Sequence, residues 1–83
     1  MLDGLVTLPI GTMNSATTAA FGQRIRDRRQ HLGLSQGALA DVVGVNRRVI
    51  GELERGKSSV QLSIALRVAE AVGLDVRLEE RRA

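Results

Sequence analysis

The chain has 83 residues and a net charge of +3, enough for one small domain whose core is marginal for a monomer and favours association. Cysteine, Trp and Tyr are absent and Phe21 is the one aromatic residue, which excludes disulfides and thiolate metal sites and argues against a stacking platform for single-stranded nucleic acid. No apolar run reaches the roughly 18 residues of a membrane span, and the first residues carry an acid where a signal peptide carries a basic region, so a cytoplasmic, nucleoid-associated protein is expected.

Residues 1–18 hold Gly4, Pro9, Gly11, Asn14, Ser15, Thr17 and Thr18 and keep no period. They read as a flexible arm or a start-site artefact, with Met13 as a candidate first residue. An arm reaching into a DNA minor groove is the functional alternative, although this one has no Arg or Lys. The folded domain is expected over 19–73. The first helix is predicted from Phe21 to Leu32, with Phe21, Ile25 and Leu32 as core anchors and Arg28 and Arg29 on the same period. Gly33 ends it. His31 stands alone near that end and reads as structural or solvent-facing, not as a metal ligand.

Ser35 is the N-cap of a second helix over Gln36 to Val43, which buries Leu39, Ala40 and Val43. Gly44 stops it and Val45 tucks into the core. Asn46 caps a third helix, Arg47 to Glu54 or Arg55, with Val49, Ile50 and Leu53 inward. Arg47, Arg48, Gly51, Glu52 and Arg55 share the opposite face. Gly56 ends this helix, and Lys57, Ser58 and Ser59 form a polar loop. A fourth helix is predicted from Leu62 to Val72, with an apolar stripe of Leu62, Ala65, Leu66, Ala69 and Val72 widened by Ile64 and Val68. After Gly73, Leu74, Val76 and Leu78 alternate with Asp75, Arg77 and Glu79, the period of a half-buried strand. A lone strand after helices has no partner inside its own chain, yet its backbone groups need one. The same strand of a second copy would supply it, making 74–80 a dimerisation strand and 81–83 a tail. A frayed end is the alternative.

Ala20 to Val60 carries eight Arg or Lys against four Asp or Glu, a net of +4, whereas Gln61 to Ala83 carries four of each. The basic two thirds suit a polyanion. No nucleophile–base arrangement or metal-spaced cluster is readable, so neither catalysis nor a cofactor is expected. A small Ala40 at the crossing of two short helices, a Gly44 turn and a core Ile50 are the mechanics of a helix-turn-helix, whose second helix enters the major groove. Arg47 and Arg48 stand at the start of that helix. Packing does not require them there, and the helix dipole disfavours cations at that end, whereas Arg binds guanine O6 and N7 as a bidentate donor.

Ser35-Gln36, Leu39-Ala40, Gly44-Val45, Ile50, Leu53-Glu54 and Gly56, in that order, resemble the DNA-binding domains of the xenobiotic-response-element/Cro/lambda-repressor class, over about Phe21 to Gly73. The resemblance implies an all-α, lambda-repressor-like bundle of four or five helices that binds operators as a symmetric homodimer. It implies base contacts from Arg47, Arg48 and Glu52. Phosphate contacts would come from Gln36, Asn46, Arg55, Lys57 and Ser58. Glu54 would hold the motif together by pairing with an Arg. Gly37 and Gly51 depart from the family pattern at helix-interior positions, and Gly51 would let DNA approach the backbone. The stretch from Ser59 to Glu80, a last helix followed directly by a strand, resembles the end of HipB-type antitoxins. There the strand, here Leu74, Val76 and Leu78, pairs with its symmetry mate. Such proteins repress their own operon and bind a HipA-type serine/threonine kinase toxin. A stand-alone repressor, or an interaction module that does not bind DNA, remains the alternative.

Overall fold

Two helix starts are set by single side chains. Ser35 has an extended backbone and its hydroxyl accepts a hydrogen bond from the Ala38 N–H at 3.0 Å. The Asn46 carbonyl oxygen accepts one from the Arg48 N–H at 2.8 Å. Each satisfies a donor that the first helical turn leaves unpaired. The computed structural model describes residues 5–9 and 15–80, with side chains from residue 17 onward. Its elements are β1 (Leu5–Pro9), α1 (Ser15–His31), α2 (Gln36–Val43), α3 (Arg47–Glu54), α4 (Leu62–Ala71) and β2 (Asp75–Glu79). The α2 and α3 boundaries agree with the capping signals in the sequence.

The core is one cluster of Phe21 and Ile25 from α1, Leu39, Ala40 and Val43 from α2, Ile50 and Leu53 from α3, and Ala65, Val68 and Ala69 from α4, closed by Val72 and Leu74. Ile25, Leu39, Ile50, Val68 and Val72 are fully buried, each stabilising the fold by about 1.5–3 kcal/mol relative to exposure. Three expected core positions are corrected. Leu32 lies beyond the end of α1 and is 44% exposed. On α4 the inward arc is Ala65, Val68, Ala69 and Val72, rotated away from Leu62 and Leu66, which are 67% and 41% exposed. Two alanines on that arc let α4 approach its neighbours closely, which the larger leucines would prevent.

The N-terminal segment differs most from expectation. Leu5–Pro9 forms a strand instead of an aperiodic arm, and α1 starts at Ser15 instead of Phe21. The added turn packs on the end of α3: a Cβ built on Gly56, which has φ +80°, would lie 2.6 Å from the Ala19 Cα. The expectation that the C-terminal strand finds no partner in its own chain is overturned. β1 and β2 pair in parallel, Leu5 opposite Asp75 through Pro9 opposite Glu79. A parallel pair needs a long crossover, and here the helical bundle is that crossover. Met13 and residues 81–83 lie outside the described residues.

Gly22 and Gly37 face opposite demands. A Cβ on Gly22 would sit 2.2 Å from the Leu53 carbonyl oxygen and 2.7 Å from that of Glu54, so α1 crosses α3 at a distance only glycine allows. A Cβ on Gly37 would meet only the Ser35 hydroxyl, at 3.8 Å. Gly22→Ala should therefore destabilise the fold by about 1–3 kcal/mol, the usual range for overpacking. Gly37→Ala should stabilise it by about 0.5–1 kcal/mol. Urea denaturation midpoints should move in opposite directions for the two variants.

Candidate nucleic-acid interface

The turn between α2 and α3 aims the face that the charge pattern singles out. Gly44 sits at φ 81°, a conformation that side chains with a Cβ rarely adopt. Its N–H and that of Val45 both donate to the Ala40 carbonyl, at 2.8 and 3.0 Å. The chain then reverses, and α3 buries Ile50 and Leu53 while Arg47 and Arg48 project into solvent.

Behind that face lies a buried ion pair. Arg29 Nε donates to Glu54 Oε2 at 2.6 Å and Arg29 Nη2 donates to Glu54 Oε1 at 3.0 Å. A third donor, Arg29 Nη1, reaches the Leu34 carbonyl at 2.8 Å. Glu54 Oε1 also accepts from Gln36 Nε2 at 3.1 Å, and Gln36 Oε1 accepts from Arg47 Nη1 at 2.7 Å. A continuous chain of hydrogen bonds thus runs from the core to the first residue of α3. The hydrogen bond to Glu54 raises the Arg29 pKa above its ordinary value despite its burial, so the guanidinium stays charged at every accessible pH. Gly51 lies beneath this chain: a Cβ there would be 3.2 Å from Arg55 Nη1 and 3.7 Å from Gln36 Oε1. Its open space is therefore covered by the protein's own side chains instead of being free for DNA. Arg26, Arg29, Gln36, Gly51, Glu54 and Arg55 line a shallow depression of ≈ 270 Å³ at this point.

A second cluster lies beside the first. Glu52 Oε2 accepts from Lys57 Nζ at 2.8 Å and lies 3.5 Å from Arg48 Nε. The hydrogen bond from Lys57, helped by the charges of Lys57, Arg48 and Arg55, holds the Glu52 carboxyl below its ordinary pKa. A depressed carboxylate pKa contributes stability above the ordinary value and loses it as pH falls through the folded value, so this cluster is intact at neutral pH. Ser58 is exposed in the following loop, and Asn46 is exposed with its oxygen committed to the α3 cap. Among the described residues no helix is long and apolar enough to cross a membrane, and no group of His, Asp or Glu is placed to hold a metal ion.

Residues 25–78 match the family model described as helix-turn-helix. The chain belongs to the helix-turn-helix family. It is 49% identical over 49 residues to a protein of Methanothermobacter thermautotrophicus named an uncharacterised HTH-type transcriptional regulator, covering 59% of this chain and 71% of that one. A protein of Sinorhizobium fredii with the same description is 37% identical over 60 residues, covering 72% of this chain and 79% of the relative. An HTH-type transcriptional regulatory protein of Pyrobaculum aerophilum is 36% identical over 70 residues; there the match covers 82% of this chain but only 28% of the relative. All three of these relatives are named as transcriptional regulators.

The helix-turn-helix unit brings Gln36 and Arg47 together, and separately Arg48, Glu52 and Lys57, with Arg55 between the two groups over Gly51. The expected strand residues divide. Leu74 is buried in the chain's own core and Val76 packs against it, while Leu78 is 64% exposed. Leu74 is thus covered by its own chain and is not open to a second copy. Arg29 is the member of the site that sequence reasoning left unassigned. The signal was there: it follows Phe21 and Ile25 at successive steps of four, a charge in an apolar stripe. Because a buried charge is costly once its partner is removed, Glu54→Gln should destabilise the fold by about 3–5 kcal/mol. The double variant Arg29→Met/Glu54→Leu, which removes both charges, should be more stable than Glu54→Gln alone when the two are compared by urea denaturation.

Proposed function

We propose that this helix-turn-helix protein binds operator DNA with α3 in the major groove and represses transcription as a symmetric dimer. The observation that carries the reading is the capped start of α3, where Arg47 and Arg48 stand exposed on an end whose dipole disfavours them. Arg47, Arg48 and Glu52 are the base-reading set, and Gln36, Asn46, Arg55, Lys57 and Ser58 are the phosphate-contacting set. The relatives' names as transcriptional regulators support the same reading. The dimer reading is supported by the second edge of β2, to which the described residues give no partner. Paired antiparallel along that edge, two copies form a sheet in the order β1-β2-β2′-β1′, with Leu78 at the seam and the half-sites about 34–36 Å or a multiple apart.

A mobility-shift assay with DNA from upstream of the protein's own gene, against a scrambled duplex, tests this. Arg48→Ala should cost about 1–3 kcal/mol and relax preference at one base pair. Gln36→Ala should weaken all sequences and also release Arg47. Leu78→Asp, at an exposed position, should leave the fold intact, shift sedimentation toward monomer and weaken operator binding. Equal affinity for the two duplexes across salt would refute sequence-specific binding, and would favour an interaction module that keeps its partner when Arg47 and Arg48 are both replaced.

The finer reading is a HipB-type antitoxin that represses its own operon and neutralises a HipA-type serine/threonine kinase. It is supported by the order of α4 followed directly by β2 and by the strand's alternating pattern. Helix surfaces away from Arg47 and Arg48 would hold the toxin, since the DNA face must stay free in a repressing complex. The neighbouring gene should then encode a kinase that co-purifies with the protein and whose toxicity it relieves. Absence of both effects leaves the stand-alone repressor.

A further inference from the structure

Glu52 is an acid set among the cations of the DNA-facing side of α3. It lies one helical turn after Arg48, and its side chain is less exposed than those of Arg48 and Lys57, with which it pairs. Its Oε2 accepts from Lys57 Nζ at 2.8 Å and stands 3.5 Å from Arg48 Nε. Sequence-independent binding to duplex DNA runs on cations neutralising phosphates. A carboxylate that already occupies two of those cations opposes that term. A phosphate reaching Lys57 competes with Glu52 for its charge, and a carboxylate that loses this partner is left facing the groove. Among base edges in the major groove, the N4 amino group of cytosine is a donor that a carboxylate accepts. At a site offering cytosine the charge finds a new partner; at other sites it faces acceptors and phosphates.

We propose that Glu52 is a specificity-determining residue that restrains Lys57 and Arg48 from non-cognate phosphate and releases them where a cytosine amino group takes up its carboxylate. The inference rests on the duplex-DNA reading and goes beyond it, because it assigns the acid a restraining role as well as a contact. It also separates Glu52 from Arg47, whose guanidinium is tied to Gln36 instead.

The test compares the parent with Glu52→Gln, which keeps the shape and removes the charge. Both are titrated with a duplex selected by the parent from a random pool and with a scrambled duplex of the same composition, over a range of salt. Thermal unfolding of both proteins checks that the variant is folded. The variant should bind the scrambled duplex more tightly, with a salt slope steeper by about 0.9 for one further phosphate neutralised. Its discrimination between the duplexes should fall by about tenfold, within the range of one misread base pair. Selection by the variant should lose a cytosine preference at one position. In a Lys57→Gln background, the gain on scrambled DNA should shrink. An unchanged affinity for scrambled DNA overturns the restraint. An equal gain on both duplexes overturns the specificity role, because it is what a bare change of net charge produces. Failure of the parent to bind any duplex overturns the DNA reading itself, and the two failures are told apart by the parent alone.

Discussion

Arg29 and Glu54 form a bidentate ion pair under the surface of the domain, and three helices take their relative placement from it. Arg29 comes from α1 and Glu54 from the last turn of α3. Gln36 brings the start of α2 to the same carboxylate. Such a pair is a poor source of net stability, because withdrawing two charges from water offsets most of their attraction. It is a strong source of geometry. A guanidinium has a fixed fork of donors and a carboxylate a fixed pair of acceptors, so few relative positions of α1 and α3 satisfy both. Gly22 allows the two helices the separation that this geometry requires. The remaining Arg29 donor closes the turn after α1 by reaching the Leu34 carbonyl.

The basic residues divide by what they touch, and the net charge conceals the division. Arg28 donates through Nε to the Val72 carbonyl at 3.1 Å, and Arg67 donates to the Val43 carbonyl. Both side chains satisfy acceptors at helix C-termini, where the last carbonyls lack partners and a cation is favoured. Arg29 is neutralised internally. Arg26, Arg47, Arg48, Arg55 and Lys57 remain exposed, with Glu52 moderating Arg48 and Lys57. Counting charges along the sequence located the basic region correctly but overstated how much of it is available to a polyanion.

The parts of the fold that were legible in the sequence are those set within a few residues. Ser35, Gly44 and Asn46 act on backbone groups two to four positions away, and the helices they bound run where those signals put them. The acid at Glu54 was readable as a partner for an arginine, by resemblance, but which arginine depended on how α1 crosses α3. The pairing of β1 with β2 was not legible. Its partners stand at opposite ends of the chain, and the apolar residues of Leu5–Pro9 hold no alternation that separates a strand from an arm. The α4 stripe was right at Ala65, Val68, Ala69 and Val72 and too wide at Leu62 and Leu66, for a related reason. A stripe drawn through its leucines is as periodic as one through Ala65 and Val68, and only close approach of neighbouring helices favours the small residues.

The two surfaces proposed for DNA and for a second copy are joined by a short path of packed residues. α4 leads directly into Leu74, which is buried in the core immediately before β2. From the same helix Arg67 reaches back to the last turn of α2. A displacement of β2 must therefore either move α4 as a body or break a buried apolar contact and a helix cap. Close-packed interiors resist the second course. Two copies joined along β2 would hold their α3 helices at a spacing fixed by this path, with little contribution from flexible linkage. An isolated two-stranded sheet is marginally stable, so the same pairing that sets the spacing would also stabilise the strand that sets it. The operator's half-site distance and the order of the sheet would then have one physical origin.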